Sequence, residues 1–320
     1  MKNVIFNALV TGAAGFVGSN LVDKLLSMNY SVIGIDNLST GRLPFLERAL
    51  SHPNFKFINA DLKNVNSVVE YFSGVDKVFH FSANADVRNE KKNTSIDLNE
   101  NTIVTSNVLE CARINKVSQF IFSSTGSVYG EAIQIPTRED SPFPIQTSLY
   151  GASKLACEGL ITSYSEAFEM QVFIFRFVSI LGERYTHGHI YDFYKQLSED
   201  GSRLRVLGDG SQRKSYLYIQ DCLSAILYAL KFSNDRVNIF NLGTDEYCQV
   251  NDSISWICEA LGVNPAISYT GGNKGWIGDN PFIFLDCKKI RETGWIPAHS
   301  IRDSVIKTVN FIKSNNWILN

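Results

Sequence analysis

Through the first half of the chain, short apolar runs alternate with stretches of helical pattern, and that alternation constrains the fold more than any other feature. The runs are Asn7–Thr11, Ser31–Ile35, Phe55–Asn59, Lys77–His80, Gln119–Ser123 and Gln171–Phe175. Short, nearly continuous apolar runs suit strands covered on both faces. Between them lie helix candidates at Phe16–Met28, Val65–Phe72, Ile96–Ile114 and Thr147–Glu169. Strict β–α alternation predicts an α/β fold with a parallel, doubly wound sheet. The helix at 96–114 carries Ile96, Val104, Val108, Leu109 and Cys111, and the helix at 147–169 carries Leu155, Leu160 and Ile161. These side chains pack on the sheet or offer a face to a second subunit.

The alternation loosens after Arg176. Residues 182–215 are rich in Gly, His and Arg, a strand-like run follows at 237–243, and a helix is expected at Asn251–Leu261. Residues 270–280 read as a polar loop with four glycines. A length of 320 residues suggests two domains. The division expected is a first domain over 1–178, joined by about 216–250, and a smaller mixed α/β C-terminal domain mainly over 179–320. With 44% hydrophobic and 19% charged residues, disorder is excluded. A net charge of −2 argues against a nucleic-acid binder. No apolar run reaches the roughly 18 residues of a membrane span, and the N-terminus lacks the parts of a signal peptide. The six cysteines, at 111, 157, 222, 248, 258 and 287, show no metal spacing and read as reduced thiols of a cytoplasmic protein.

The segment Val10-Thr11-Gly12-Ala13-Ala14-Gly15-Phe16-Val17-Gly18 joins the first strand to the first helix. Glycines there let the backbone approach a pyrophosphate, and the helix N-terminus supplies N–H donors and a positive dipole end. This is the turn of a Rossmann sheet, although the spacing is GxxGxxG; small residues would also serve tight strand–helix packing. Asp36 ends the second strand, about 20 residues on, where a carboxylate can accept hydrogen bonds from an adenosine ribose. It would repel a 2′-phosphate and so favours NAD over NADP. Asp61-Leu62, after the third strand, falls where an adenine contact would lie, although Asp61 alone reads as a helix N-cap.

Tyr150-Gly151-Ala152-Ser153-Lys154 lies on an expected helix, and the spacing of four places Tyr150 and Lys154 on one face. A nearby ammonium and an oxidised nicotinamide would both lower the phenol pKa. The tyrosinate could then take a proton from a substrate hydroxyl while hydride leaves the same carbon. The pair follows the glycine motif and a hydroxyl cluster, Ser123-Ser124-Thr125, at the carboxyl end of the fifth strand, where such sheets bind ligands.

Taken in order, TGAAGFVG, DNLSTG, HFSANADV, SSTGSVYG, YGASK, GDGSQRKSYLYIQD and a terminal GW-P resemble the extended short-chain dehydrogenases that act on nucleotide sugars. The resemblance spans nearly the whole chain. It implies Thr125, Tyr150 and Lys154 as catalytic residues and tightly bound NAD or NADH as cofactor. It implies cofactor contacts at Gly12, Gly15, Phe16, Val17, Asp36, Asn37, Ser39, Thr40, Gly41, Asp61, Leu62, Phe81, Ser82, Ala83, Asn101, Ser123, Tyr150, Lys154 and Val178. It also implies a homodimer formed through the two helices named above.

Departures from the family pattern narrow the chemistry. The 4,6-dehydratases carry Asp-Glu just after the catalytic Thr, where this chain has Gly126 and Ser127, and Ser127 also stands where decarboxylases have Glu. Oxidation and reduction of a sugar hydroxyl, at C4, remain. On the substrate side, Ser179 replaces an Asn, Lys214 an Arg and Trp276 another Arg, and two lost guanidiniums mean two lost bidentate diphosphate clamps. The blocks GERYTHGHIYDFYK, GSQRKSYLYIQD and GWIGDNPFIFLD resemble the GDP-glycero-manno-heptose C4 dehydrogenases of bacterial capsule pathways. The leading expectation is therefore a GDP-linked heptose 4-dehydrogenase that passes hydride to an acceptor such as a 2-keto acid. The alternatives are a 4-epimerase of the UDP-glucose/UDP-glucuronate type and a non-catalytic NAD-binding regulator. Arg184, His187 and His189 mark the substrate neighbourhood together with Ser179, Lys214 and Trp276. The HxH pair reads as substrate-loop or solvent-facing rather than metal-binding, and His80 as structural.

Overall fold

The computed structural model describes residues 6–84, 93–142, 145–272 and 282–319. The strands are β1 (Asn7–Thr11), β2 (Ser31–Asp36), β3 (Phe55–Asn59), β4 (Lys77–His80), β5 (Gln119–Thr125), β6 (Gln171–Phe177), β7 (Ser179–Leu181), β8 (Arg203–Val206), β9 (Arg213–Lys214), β10 (Tyr216–Tyr218), β11 (Val237–Leu242), β12 (Cys248–Gln249) and β13 (Ala266–Tyr269). The α-helices are α1 (Phe16–Ser27), α2 (Glu47–Leu50), α3 (Val65–Val68), α4 (Val104–Ile114), α5 (Leu149–Phe168), α6 (His189–Glu199), α7 (Ile219–Phe232), α8 (Val250–Leu261), α9 (Lys288–Glu292) and α10 (Ile301–Ser314). The described chain clusters into two compact units. One comprises Met1–Val128, Ser148–Arg176 and Leu230–Phe240; the other Tyr129–Thr147, Phe177–Ala229 and Asn241–Asn320.

The first unit is built on a seven-stranded sheet of order β11-β6-β5-β4-β1-β2-β3. The pairs β1–β2, β1–β4, β2–β3 and β4–β5 are parallel, as the alternation predicts. Strand order reverses between β1 and β4, which places the carboxyl ends of β1, β2, β4 and β5 around the switch point where such sheets receive ligands. Beneath lies a continuous core that includes Leu9, Ile35, Val78, Phe120, Phe122, Val172 and Ile174 from strands and Val104, Val108, Leu109, Cys111, Cys157 and Ile161 from α4 and α5. The 237–243 run returns to this sheet as β11. Before α4 the backbone forms a π-helical stretch, Leu98–Ile103, where the sequence predicts continuous α-helix. Similarly, the helix expected over Val65–Phe72 is α only to Val68 and 3₁₀ beyond.

The second unit holds three two-stranded pairs, β7–β10 and β8–β13 parallel and β9–β12 antiparallel, with helices α6 to α10. Its α8 starts with a capping box between Gln249 and Asp252 and stops at Gly262, φ +70°, which fixes both ends of the helix expected there. All six cysteines are free thiols. No helix of the described residues is long and apolar enough to cross a membrane.

Candidate active site

The glycine turn follows β1 directly. Gly12 has φ +66°, and a Cβ there would lie 2.8 Å from the Ser82 backbone nitrogen. A Cβ on Gly18 would meet the Gly12 carbonyl oxygen at 2.0 Å, so α1 can pack against the turn only without a side chain. Gly15 caps α1 without any side-chain hydrogen bond, and Phe16 and Val17 form the first turn. This leaves backbone, not side chain, facing the N-terminal end of the helix, a surface that fits a pyrophosphate.

Thr11, the last residue of β1, organises the neighbouring loop. Its Oγ1 accepts the Phe81 and Ser82 N–H groups at 3.1 and 3.2 Å. With both lone pairs used, its own proton goes to His80 Nδ1, 2.7 Å away, and His80 Nε2–H donates to Thr105 Oγ1 at 2.9 Å. His80 is fully buried, and burial together with the Lys154 charge pushes its pKa down to about 3. It is a neutral structural histidine, as the sequence suggests, and it ties β1, β4 and α4 together while Thr11 sets the Phe81–Ala83 backbone.

Asp36 sits at the end of β2, 8% exposed. Its Oδ2 accepts the Ala14 N–H at 2.9 Å and its Oδ1 the Leu38 N–H at 2.8 Å. Gly41 lies against the same carboxylate, where a Cβ would come within 2.6 Å of Oδ1. Burial raises the Asp36 pKa, and the two backbone donors oppose that. The residue thus fastens the glycine turn to the DNLST loop as well as presenting negative charge. Asn37, Ser39 and Thr40 are exposed in that loop, and the Asn37 amide donates to Asp61 at 3.3 Å. Leu62 is buried in the core, so only its backbone is placed to meet a ligand.

Asn101 is 1% exposed within the π-helical stretch. Its amide nitrogen donates to Asp97 and Ser153, and its oxygen accepts the Asn84 N–H. Its polar groups hold the loop after β4 and the first turns of α5.

Ser148 caps α5 by accepting the Gly151 N–H at 3.0 Å, which starts the helix at Leu149, one residue before Tyr150. Lys154 is 2% exposed. Its Nζ donates to the Ser123 carbonyl at 2.9 Å and lies 4.6 Å from the Phe122 ring centre. Burial pulls its pKa down to about 8. The Tyr150 hydroxyl is hydrogen-bonded to Thr125, whose Oγ1 also accepts the Ser127 N–H at 3.1 Å. In the cofactor-free protein burial outweighs the Thr125 hydrogen bond and raises the phenol pKa to about 12, whereas the lowering expected from sequence comes from the ammonium together with an oxidised nicotinamide. A half-buried phenol pays for its ionised form in lost hydration, and Lys154 is itself held to a backbone carbonyl.

In the second unit, Val178 is buried with its N–H on the Leu242 carbonyl at 3.0 Å. Ser179 is exposed at the start of β7, and Arg184 takes the left-handed conformation, φ +69°. His187 stacks on Tyr185. His189 departs from the solvent-facing reading. It opens α6 with its ring against Phe193 and Tyr216 and Nδ1 2.8 Å from the Tyr216 hydroxyl. Burial and the Lys214 charge push its pKa down to about 3. Trp276 lies outside the described residues. Among the described residues no group of three His, Cys, Asp or Glu could hold a metal ion.

Sequence reasoning took Ser124 only as part of the hydroxyl cluster and Arg176 only as the point where the alternation loosens, and it did not single out Glu158. Ser124 Oγ donates to Glu158 Oε1 at 2.5 Å, and Arg176 Nη2 pairs with Glu158 Oε2 at 2.7 Å. The signal was present: Glu158 extends the Tyr150–Lys154 spacing by another four residues.

A doubly wound sheet with a side-chain-free turn after β1, a carboxylate ending β2 and a Thr–Tyr–Lys set where β5 meets α5 defines a dinucleotide-dependent oxidoreductase. Residues 8–243 match the NAD dependent epimerase/dehydratase family, and the chain belongs to it; it is an NAD-dependent enzyme. A putative UDP-glucose 4-epimerase of Methanocaldococcus jannaschii is 34% identical over 316 residues, 96% of this chain and 99% of the relative. The crystal structure of a UDP-galactose 4-epimerase superposes with a TM-score of 0.88 at 35% identity, covering 98% of this chain and 100% of that one. A UDP-glucuronic acid 4-epimerase from Bacillus cereus, in complex with UDP-glucuronic acid and NAD, gives 0.88 at 28% identity, covering 97% and 100%.

Proposed function

We propose that the protein is a nucleotide-sugar 4-epimerase acting on a UDP-linked sugar. The carrying observation is the Thr125–Tyr150–Lys154 arrangement without the Asp-Glu that dehydratases carry just after the Thr: Gly126 and Ser127 stand there, and a Ser127 hydroxyl hydrogen-bonded within that turn is far too weak an acid for elimination. The names of its relatives support the epimerase over the GDP-heptose C4 dehydrogenase. The substitutions at Ser179, Lys214 and Trp276 are what still favours the dehydrogenase as the second reading.

The backbone of Gly12, Gly15, Phe16 and Val17 would hold the pyrophosphate of NAD, Asp36 its adenosine ribose, the loop from Phe81 to Ala83 its middle, and Lys154 its nicotinamide ribose. When bound, NAD would supply the oxidant for the C4 carbinol and, once reduced, the reductant that restores it. Tyr150 would take the C4 hydroxyl proton and return it to the same oxygen once hydrogen has come back to the opposite face of C4, Thr125 would hold the phenol and the sugar oxygen, and Lys154 would favour the tyrosinate. The second unit would bind the nucleotide and sugar, and the first the cofactor, which stays bound between turnovers. Exposed Ile103, Ile114, Leu149 and Phe168 on and beside α4 and α5 support a homodimer through those helices. Six free thiols support a cytoplasmic location.

The test offers UDP-glucose, UDP-glucuronate and a GDP-linked heptose, each with and without a 2-keto acid, and examines products by mass and NMR. Product of unchanged mass with inverted C4, formed without acceptor, is expected from a UDP-sugar. A two-dalton loss that requires the keto acid would establish the dehydrogenase instead.

A further inference from the structure

We propose that Glu158 and Arg176 are positioning residues for catalysis, clamping α5 to β5 and β6 so that Tyr150, Lys154 and Thr125 keep their mutual geometry. The proposal rests on the function given above for those three residues. Tyr150, Lys154 and Glu158 succeed one another at intervals of four on α5, along one face. Three consecutive residues of β5 meet them: Thr125 the Tyr150 hydroxyl, the Ser123 carbonyl Lys154 Nζ at 2.9 Å, and Ser124 Oγ the Glu158 carboxylate at 2.5 Å. Arg176, from β6, closes the set with Nη2–Oε2 at 2.7 Å and Nε–Oε1 at 3.1 Å. The Arg176 and Glu158 side chains are 1% and 5% exposed.

Stability alone is a poor reason for such a pair. Burying two charges costs several kcal/mol per ion, and apolar replacements of similar volume are often neutral or better. What the pair supplies is a planar, two-bond fork with a third bond to Ser124. Together these fix how far α5 can slide or rotate over the ends of β5 and β6. A catalytic base misplaced by about 1 Å can lose 10²-fold in rate, so this is where rigidity matters.

The experiment uses the full-length Glu158→Met/Arg176→Met double variant, which removes both charges together, beside Arg176→Lys and Ser124→Ala. Thermal unfolding reports the fold, calorimetry the NAD affinity, and UDP-glucose epimerisation at saturating NAD the rate. Expected for the double variant is near-native unfolding, kcat lower by about tenfold or more with KM little changed, and several-fold weaker NAD binding as Lys154 shifts. Arg176→Lys, which keeps the charge without the fork, should fall between. A folded double variant with native kcat and native NAD affinity overturns the proposal. Should the double variant not fold, Ser124→Ala, which cuts only the link from β5, decides: a native kcat there also overturns it. A wild-type protein that epimerises no UDP-sugar would sink the proposed function but not the clamp, because the NAD-affinity arm needs no sugar.

Discussion

Lys154→Met is expected to remove turnover while leaving the cofactor-free protein no less stable at pH 7. Burial lowers the Lys154 pKa from 10.5 to about 8. That difference of about 2.5 units corresponds to about 3 kcal/mol, which folding loses by keeping the ammonium charged in a dry site. The folded value lies below the unfolded one. Below pH 8 both states hold the proton and the whole penalty is present. Between about pH 8 and 10.5 the unfolded chain holds a proton the folded protein has released, so wild-type stability rises with pH across that window. Methionine keeps the length and apolar stem against Phe122 but leaves the Ser123 carbonyl without its donor, a loss of about 1–3 kcal/mol. The two effects nearly cancel at pH 7, and the diagnostic is their different pH dependence. The wild type should gain about 2 kcal/mol between pH 7 and 9.5 and the variant nothing from this source, so the Tm difference should move by roughly 4 °C in favour of the wild type. Differential scanning calorimetry of both proteins, stripped of NAD, at several pH values between these limits measures this, since groups that do not sense the Lys154 charge cancel in the comparison. A Tm difference constant across that range would refute the assignment of Lys154 as a desolvated ammonium. NAD binding as tight as wild type in the variant would refute its place at the nicotinamide ribose.

Tyr150→Phe should fold and bind NAD normally yet lose about 10²–10⁴ in turnover, the usual effect of removing a general base; near-native rates would clear Tyr150 of the role. Because its phenol is raised to about 12, only about 10⁻⁴ of it is ionised at pH 8 without help, and spectrophotometric titration against Tyr150→Phe should show the value falling when NAD binds. Asp36→Ser should shift the ratio of NADP to NAD affinity toward NADP by at least about tenfold, since a unit charge at 4 Å is worth about 1–4 kcal/mol near a surface; an unchanged ratio would place Asp36 in loop structure alone. Thr11→Val strands the Phe81 and Ser82 N–H groups and should cost about 2–4 kcal/mol in urea unfolding, with weaker NAD binding; a neutral result would mean the loop finds other partners.

The sequence by itself determined the sheet and where its chemistry would gather. Short apolar runs can be strands, helices of three or four turns must cross between parallel ones, and a glycine turn between strand and helix has few uses; these are local properties of pattern and backbone. The spacing of Tyr150 and Lys154 likewise follows from helical pitch alone. What tertiary structure decided is the electrostatic state of those residues. From sequence, a nearby ammonium together with an oxidised nicotinamide predicts a lowered phenol pKa; in the cofactor-free protein burial dominates, the phenol is raised and the lysine lowered. Burial sums contributions from separate elements that only the fold packs together, and no local pattern carries that sum. The same holds for Asn101, whose amide is taken up by Asp97, Ser153 and Asn84, and for the Ser124–Glu158–Arg176 clamp, whose members come from three elements. It holds for His189 as well, which follows glycine in a polar stretch yet is packed against Phe193 and Tyr216. Periodicity reports which face of an element is apolar, whereas only packing settles which polar groups are dry and which partner each one finds.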